Sequence, residues 1–452
     1  MKYLKWLFIA ILLLITAVAI FNYPKLSIIS GYAAKNMASS VFLAHRSATE
    51  LEENDHNVPL IKFADTEVIS ENNTAFASVF GLKERQAVYR EGLGCVLIND
   101  DFDASKKYLQ PQRSKITNNL PFPYGSAAPK DTVFTNVDYE LLRSTISRAF
   151  EHPDKQRTRT VLVVYKDHII AEEYKGGITK ETPVLGWSMT KSVLATLYGI
   201  LEYQKRLKVS TYKPFEIHAE EFGAISDAKK DITLDNLLRM QSGLEWDEDY
   251  SSISDATSMF FMESDMTRSQ AIKPVIAPVT EIWNYSSGTS NFLSGVLRKE
   301  FESYQEYLDF PYREFIDKIG MHSMLIEADM SGNYVGSSYG WATTRDWAKF
   351  GLLYLHRGDW NGNRIFAPQW TDYVSSPTVL SDGTYGAHFW LNSAGKYPGV
   401  PRDLFSANGY QGQYVFIIPS KELVIVRTGL AETPDFNLNA FLKGIVDAIE
   451  SN

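Results

Sequence analysis

The chain has 452 residues, 44% of them hydrophobic and 22% charged, which allows a large core and excludes wholesale disorder, a coiled coil and a multi-span membrane protein. A formal charge of -9, from 45 Lys and Arg against 54 Asp and Glu, leaves no overall basic field for a nucleic-acid backbone, so nucleic acid is not an expected partner. The single cysteine, Cys95, excludes an intrachain disulfide and a cysteine-rich metal site.

The first element is apolar. Residues 6–21 read WLFIAILLLITAVAIF, with Lys2 and Lys5 before them and Asn22, Pro24 and Lys25 after. A basic start followed by such a run marks an export segment. It is longer than the usual apolar stretch of a cleaved signal and shorter than the roughly 20 residues that span a bilayer. Residues 1–24 are therefore a signal anchor or a signal peptide: cleavage after Ala19 is open, while Ile20, Phe21 and the flanking lysines favour a retained anchor. Either way the rest of the chain is expected outside the cytoplasm, on the periplasmic side in a Gram-negative bacterium, with the membrane as a partner of the N-terminal segment.

Residues 25–130 read as a polar, loop-rich region with short strands at 75–80, 87–89 and 95–98 and little helical periodicity. Pro121-Phe122-Pro123-Tyr124-Gly125 and the residues up to Pro129 look like a linker, placing a domain boundary near 130. In 131–452, Leu141, Leu142, Thr145, Ile146, Ala149 and Phe150 recur at helical spacing after Asp138, which can cap that helix. Two hairpins follow from β-rich runs, 160–165 with 169–174 and 414–418 with 423–428, and a helix over 436–449 closes the chain. Hairpins near both ends, with a long helical stretch between, predict an α/β fold of the α+β kind: one antiparallel sheet flanked by helices and interrupted by a helical insertion.

Ser188-Met189-Thr190-Lys191 is the leading candidate for chemistry. Val193, Leu194, Leu197, Ile200 and Leu201 follow at helical spacing, so a buried helix starts close to Ser188 and brings the Lys191 amine beside its hydroxyl one turn away. Serine needs a base to become a nucleophile, and a partly desolvated lysine can be one. A helix-capping serine with a solvated lysine is the bland alternative. Other Ser-x-x-Lys runs, at Ser210, Ser226 and Ser393, lack this apolar helical context. Tyr285, in Tyr285-Ser286-Ser287, could supply a second proton-transfer group. A rival nucleophile is Ser338 in Gly336-Ser337-Ser338-Tyr339-Gly340, which fits a nucleophile elbow with Asp372 and His388 following, although Gly332-Asn333-Tyr334-Val335 is a poor buried strand to precede it. The eight histidines are scattered and no phosphate loop or dinucleotide fingerprint is present, so no metal or nucleotide cofactor is implied.

Gly186-Trp187-Ser188-Met189-Thr190-Lys191, then Leu237 to Leu244, Tyr285-Ser286-Ser287-Gly288, Ala342-Thr343-Thr344-Arg345-Asp346, Gly358 to Ile365 and Gly409-Tyr410-Gln411-Gly412-Gln413 occur in one order. In this the chain resembles the β-lactamase-related serine hydrolases of the penicillin-binding-protein superfamily, most closely the 6-aminohexanoate-dimer hydrolase and class C β-lactamase-like esterase branch. The resemblance implies Ser188 as the acylated nucleophile, Lys191 as its proton acceptor and Tyr285 as the proton shuttle to the leaving group. It also implies an oxyanion hole from the backbone N–H groups of Ser188 and Tyr410, with Trp187, Ser287, Asn408, Gly409 and Trp390 contacting substrate.

Penicillin-recognising members carry Lys-Thr-Gly on a strand edge, where this chain has Ala407-Asn408-Gly409. The cation that would hold a substrate carboxylate is absent from that position, which favours ester or linear amide substrates. β-Lactamase or D-peptidase activity, and a non-catalytic recognition protein, are the alternatives.

Overall fold

The computed structural model describes residues 2–449 apart from 104, 116 and 223–225, and its contacts divide the chain into two compact units. One comprises Met1–Arg90, Cys95–Lys106 and Asp247–Ser264; the other comprises Glu91–Gly94, Lys107–Trp246 and Asp265–Asn452. The division differs from a single boundary near 130, because residues 107–130 pack in the second unit and a segment from mid-chain returns to the first.

In the first unit, helix α1 (Lys2–Ala38) does not stop at Pro24 but runs through it. Proline removes one backbone hydrogen bond, yet burial beyond it sustains the helix: Ile29, Ala33, Ala34, Met37 and Ala38 are buried. These residues pack on an antiparallel sheet of strands β1 (Ala64–Ile69), β2 (Thr74–Val79), β3 (Leu82–Arg90) and β4 (Gly94–Leu97), in that order. Gly31 permits the approach, since a Cβ there would lie 3.1 Å from Leu97 and 3.2 Å from Phe261. The expectation of little helical structure after residue 24 is thus corrected. β2 to β4 fall on the three expected strands, and β1 is an addition. The leading part of α1 is exposed, with Trp6 62%, Phe8 67% and Phe21 73% accessible, and the helix is long and apolar enough to cross a membrane, with a mean hydropathy of 2.6 over its best window. The side chains of Lys2 and Ala19 lie outside the described residues.

The second unit is built on a six-stranded antiparallel sheet. Helix α2 (Tyr139–Arg148) opens it, capped as expected by Asp138, whose carboxylate accepts from the N–H groups of Glu140 and Leu141 at 3.0 and 2.9 Å. Strands β5 (Thr158–Tyr165) and β6 (His168–Tyr174) form the first hairpin. Helices α3 (Met189–Tyr203), α4 (Ser287–Lys299) and α5 (Thr344–Leu355) lie in the insertion. Strands β7 (Trp390–Leu391), β8 (Phe405–Gly409), β9 (Gln413–Ile418) and β10 (Leu423–Gly429) then complete the sheet in the order β7-β8-β9-β10-β5-β6.

Alternation along the central strands divides two apolar layers. Val161 and Val163 of β5, with Leu423 and Ile425 of β10, face one layer together with α2 and helix α6 (Leu438–Asp447). Leu162, Val164, Val424 and Val426 face the other, with α3 and α5. The expected sheet with a helical insertion is the observed one, and the insertion carries the candidate site.

Candidate active site

Ser188 stands at the N-cap of α3, where the chain enters the helix after Trp187 in a left-handed conformation with φ 47°. Every residue of α3 from Met189 to Leu201 is buried, which explains why this helix shows no polar face in the sequence. Lys191, 1% exposed, sits one turn after the serine. Its Nζ donates to Ser188 Oγ at 2.9 Å, to Ser287 Oγ at 2.9 Å and to the Ser337 carbonyl at 3.0 Å. Nζ also lies 4.9 Å from the centroid of the Tyr285 ring. Ser188, Lys191, Tyr285 and Ser287 are therefore one constellation, drawn from the starts of α3 and α4.

The turn before Ser188 is held from two sides. Gly186 N–H donates to the Gly340 carbonyl at 2.8 Å, and Gly340 N–H donates to Thr190 Oγ1 at 2.9 Å. On the other side Gly409 of β8 presses on the Gly186 carbonyl so closely that a Cβ there would lie 2.0 Å from the oxygen. This approach sets the end of β8 against the turn before Ser188, and the Tyr410 ring meets Trp187 edge-on at 5.7 Å. Gln413 secures the same turn, its Nε2 donating to the carbonyls of Tyr410 at 3.1 Å and Gly429 at 2.7 Å. Arg427, fully buried, donates to the carbonyls of Gly412 and Ala431 at 2.8 and 2.9 Å.

Trp390 and Tyr285 are in contact at 5.4 Å between ring centroids. Trp283 and Tyr385, which the sequence did not single out, join them: Tyr385 lies 5.9 Å from Tyr285 and 5.1 Å from Trp390, and Trp283 lies 5.4 Å from Tyr385. The four rings form one aromatic cluster next to Lys191. Tryptophan and tyrosine bordering a polar centre could have been suspected from Trp283-Asn284-Tyr285, but Tyr385 is distant in sequence and carries no local signal.

Along β8, Ala407 is fully buried and belongs to the apolar layer shared with α3. A lysine at that position would place an ammonium in this layer, and the surroundings are accordingly apolar. Asn408 faces the opposite side of the strand by alternation, with its Oδ1 buried and, among the described residues, without a hydrogen-bond partner. Along β8, β7 pairs with Phe405 and Ser406. Arg345, another candidate for the missing cation, is engaged by Glu172 through hydrogen bonds of 2.7 and 2.6 Å, while Arg402 donates to the Ser393 carbonyl at 3.2 Å. A cation that the sequence did not point to, Lys396, lies 5.6 Å from the Trp390 ring centroid.

The rival elbow is not assembled. Ser338 is fully buried, with Oγ 3.1 Å from Ser337 Oγ, and Asp372 pairs with Arg357 at 2.8 and 2.6 Å. His388 bonds Leu238 and Ser290 instead. Its Nδ1 lies 2.7 Å from the Leu238 carbonyl and its Nε2 3.0 Å from Ser290 Oγ, a pairing that places the ring proton on Nδ1. Burial pushes the His388 pKa down to about 3, opposed by the Leu238 carbonyl and assisted by the Lys191 charge. The glycine-bounded segment has another use: its Ser337 carbonyl holds Lys191, and Asn291 Oδ1 accepts from Ser337 N–H at 3.1 Å.

Comparison with known proteins bears on the same unit. Solved structures of similar fold include a provisionally named 6-aminohexanoate-dimer hydrolase from Bacillus anthracis, 19% identical with a TM-score of 0.57, covering 66% of this chain and 80% of its own. A family VIII carboxylesterase is 15% identical with a TM-score of 0.56, covering 71% of this chain and 99% of its own. A penicillin-binding protein homologue from Caulobacter crescentus is 13% identical with a TM-score of 0.53, covering 72% of this chain and 100% of its own. No curated protein sequence matches this chain. The beta-lactamase family profile matches residues 146–440, a span that includes α3, α4 and strands β5 to β10, so the chain belongs to the beta-lactamase family of serine hydrolases.

Proposed function

We propose that the protein is an exported, membrane-anchored serine hydrolase that cleaves ester or amide bonds through an acyl-enzyme on Ser188. The observation that carries this reading is the 2.9 Å contact between Lys191 Nζ and Ser188 Oγ at the start of a buried helix. A neutral amine has two N–H donors and one lone pair. Once the amine is neutral, with the Ser337 carbonyl and Ser287 Oγ accepting its two N–H groups, its lone pair can take the proton of the Ser188 hydroxyl, to which the charged form donates.

In acylation, Ser188 Oγ bonds to the substrate carbonyl carbon while its proton passes to Lys191 Nζ. The oxyanion lies at the N-terminus of α3, where the Ser188 and Tyr410 N–H groups and the helix dipole stabilise it. Tyr285 relays the proton to the leaving oxygen or nitrogen as the bond to carbon breaks. Water then attacks the acyl carbon by the same route and releases Ser188. Trp187, Tyr285, Trp390 and Tyr410 present an aromatic surface suited to an uncharged acyl chain. With Ala407 inside an apolar layer, short neutral esters are the favoured substrates, linear amides are slower and penicillins poor.

One observation favours a second reading. The Lys396 ammonium over Trp390 is a cation at the aromatic cluster, and it would suit a carboxylate-bearing substrate of the β-lactam or D-peptide kind.

The test is a fluorophosphonate label followed by turnover of ester, linear amide and penicillin panels by the full chain. Ser188→Ala should abolish labelling and lower turnover at least about a thousandfold, while Ser338→Ala leaves both near the original level. Absence of labelling and turnover in the unaltered protein would favour a non-catalytic recognition protein. Penicillin hydrolysis matching the best ester, and lost in Lys396→Gln, would replace the neutral-ester reading with the second.

A further inference from the structure

The first unit carries apolar surface that its own core does not use, gathered at one end. The hairpin joining β2 to β3 turns on Phe80 and Gly81, both left-handed, with φ 55° and 69°. Two such residues in succession make the turn that suits a twisted hairpin, and its first position normally goes to Asn, Asp or Gly. A bulky aromatic there is unfavourable in backbone terms, and the conformation holds Phe80 outward, 71% exposed. Leu82, the next residue, is 47% exposed, and Leu60 and Phe63 from the segment before β1 are 50% and 46% exposed. The Phe63 and Phe80 rings are 5.9 Å apart, so this is one patch.

Its position along α1 is given by three contacts. The Lys83 carbonyl accepts from Ser30 Oγ at 2.6 Å, and the Lys83 ammonium lies 4.6 Å from the Tyr23 ring centroid. The short helical turn Ile61–Phe63 also packs against α1. The patch therefore sits beside the place where α1 leaves its apolar run, between Tyr23 and Ser30. From Tyr3 to Tyr23 the helix rises about 30 Å, the thickness of a bilayer's hydrocarbon core. At this end lysines lie on aromatic rings: Lys25 is 5.2 Å from Phe21, Lys62 is 5.5 Å from Phe63, and Lys83 is beside Tyr23. Asp65 and Glu84 follow the patch on β1 and β3, further from the hairpin tip. Aromatics with basic residues at the end of an apolar span are the composition of a membrane interface.

We infer that the first unit rests on the bilayer crossed by α1, with Leu60, Phe63, Phe80 and Leu82 dipping into the interfacial region and Lys25, Lys62 and Lys83 at the level of anionic headgroups. The occupant of the patch is lipid. The patch is continuous with the lipid-exposed surface of α1, and its local charge is basic in a chain whose net charge is -9. Two attachments, a spanning helix and an amphipathic edge, give the unit a fixed tilt against the membrane, which one helix would leave free.

The experiment uses the full chain in vesicles of phosphatidylcholine mixed with phosphatidylglycerol. Cys95, the only cysteine, is buried, so Phe80→Cys can be labelled alone with an environment-sensitive fluorophore. Glu71→Cys, in the turn between β1 and β2 at the other end of that hairpin, is the comparison. The expected result is blue-shifted emission at position 80, quenched at least about twofold by lipids carrying a doxyl group near the headgroup, with aqueous, unquenched emission at position 71. Aqueous emission at 80 in protein that floats with the vesicles would overturn the inference while leaving the anchor intact. Blue-shifted emission that the doxyl lipid does not quench would overturn it in favour of a protein partner or second copy. Failure to float would remove the anchor and the seat together. Hydrolysis by Ser188 is measured separately, so loss of the catalytic reading leaves this result standing.

Discussion

At the scale of single residues, the site depends on one close approach and one neutral ring. Gly409 lies against the Gly186 carbonyl, where any Cβ would come within 2.0 Å. Gly409→Ala should push β8 away from the Ser188 turn and lower kcat at least about tenfold, with a far-ultraviolet spectrum like that of the unaltered protein as the check on folding. His388 is pushed down to about 3 by burial, so between that value and the ordinary histidine range the unfolded chain binds a proton that the folded chain refuses. Stability should therefore fall as pH drops below about 6.5, by about 1.4 kcal/mol per pH unit from this group. Urea unfolding at pH 7 and pH 5 measures it, and His388→Asn, which tolerates the left-handed backbone at φ 60°, should flatten the slope. His56, His218 and His322 are lowered by burial as well, so a residual slope is expected. The contact between Ser188 and Lys191 was legible in the sequence because three residues on a helix is a local relation. The Ser337 carbonyl was not, since a backbone oxygen has no residue type and its place depends on how distant segments pack.

Among the elements, the β8 to β9 turn is held from behind. Gln413 binds the Tyr410 and Gly429 carbonyls and accepts from Gly429 N–H at 3.2 Å. Gln413→Ala should release the Tyr410 backbone, lowering kcat about tenfold and slowing fluorophosphonate labelling in parallel, whereas loss of stability alone would leave the folded fraction reacting at its normal rate. Hairpins and capped helices were readable because their signals are short. The continuation of α1 through Pro24 was not, because the helix persists by packing Ile29, Ala33 and Met37 on a sheet that forms later in the sequence. β1 escaped notice for a related reason: its burial alternates weakly, with no fully buried residue from Ala64 to Ile69.

For the whole molecule, the exposed apolar length of α1 predicts recovery in the membrane pellet after carbonate extraction, while a soluble mature chain beginning at Ile20 would show cleavage and remove the anchor. The family profile begins within α2 and ends within α6, so the first unit, apart from its Asp247–Ser264 segment, lies outside the part of the sequence that identified the fold. The order of the sheet also has a consequence for how the protein is made. β5 pairs with β10, from Leu423 opposite Tyr165 to Gly429 opposite Thr158, with most of the catalytic unit's sequence between them. On the proposed export route, a chain threaded N-terminus first delivers Ser188, Lys191 and Tyr285 across the membrane well before residues 423–429 arrive. Until then α3, buried on every side in the finished protein, has no sheet to cover it and is exposed to aggregation and proteases. Synthesis interrupted before Leu423 should accordingly leave fragments to be degraded rather than a weakened hydrolase.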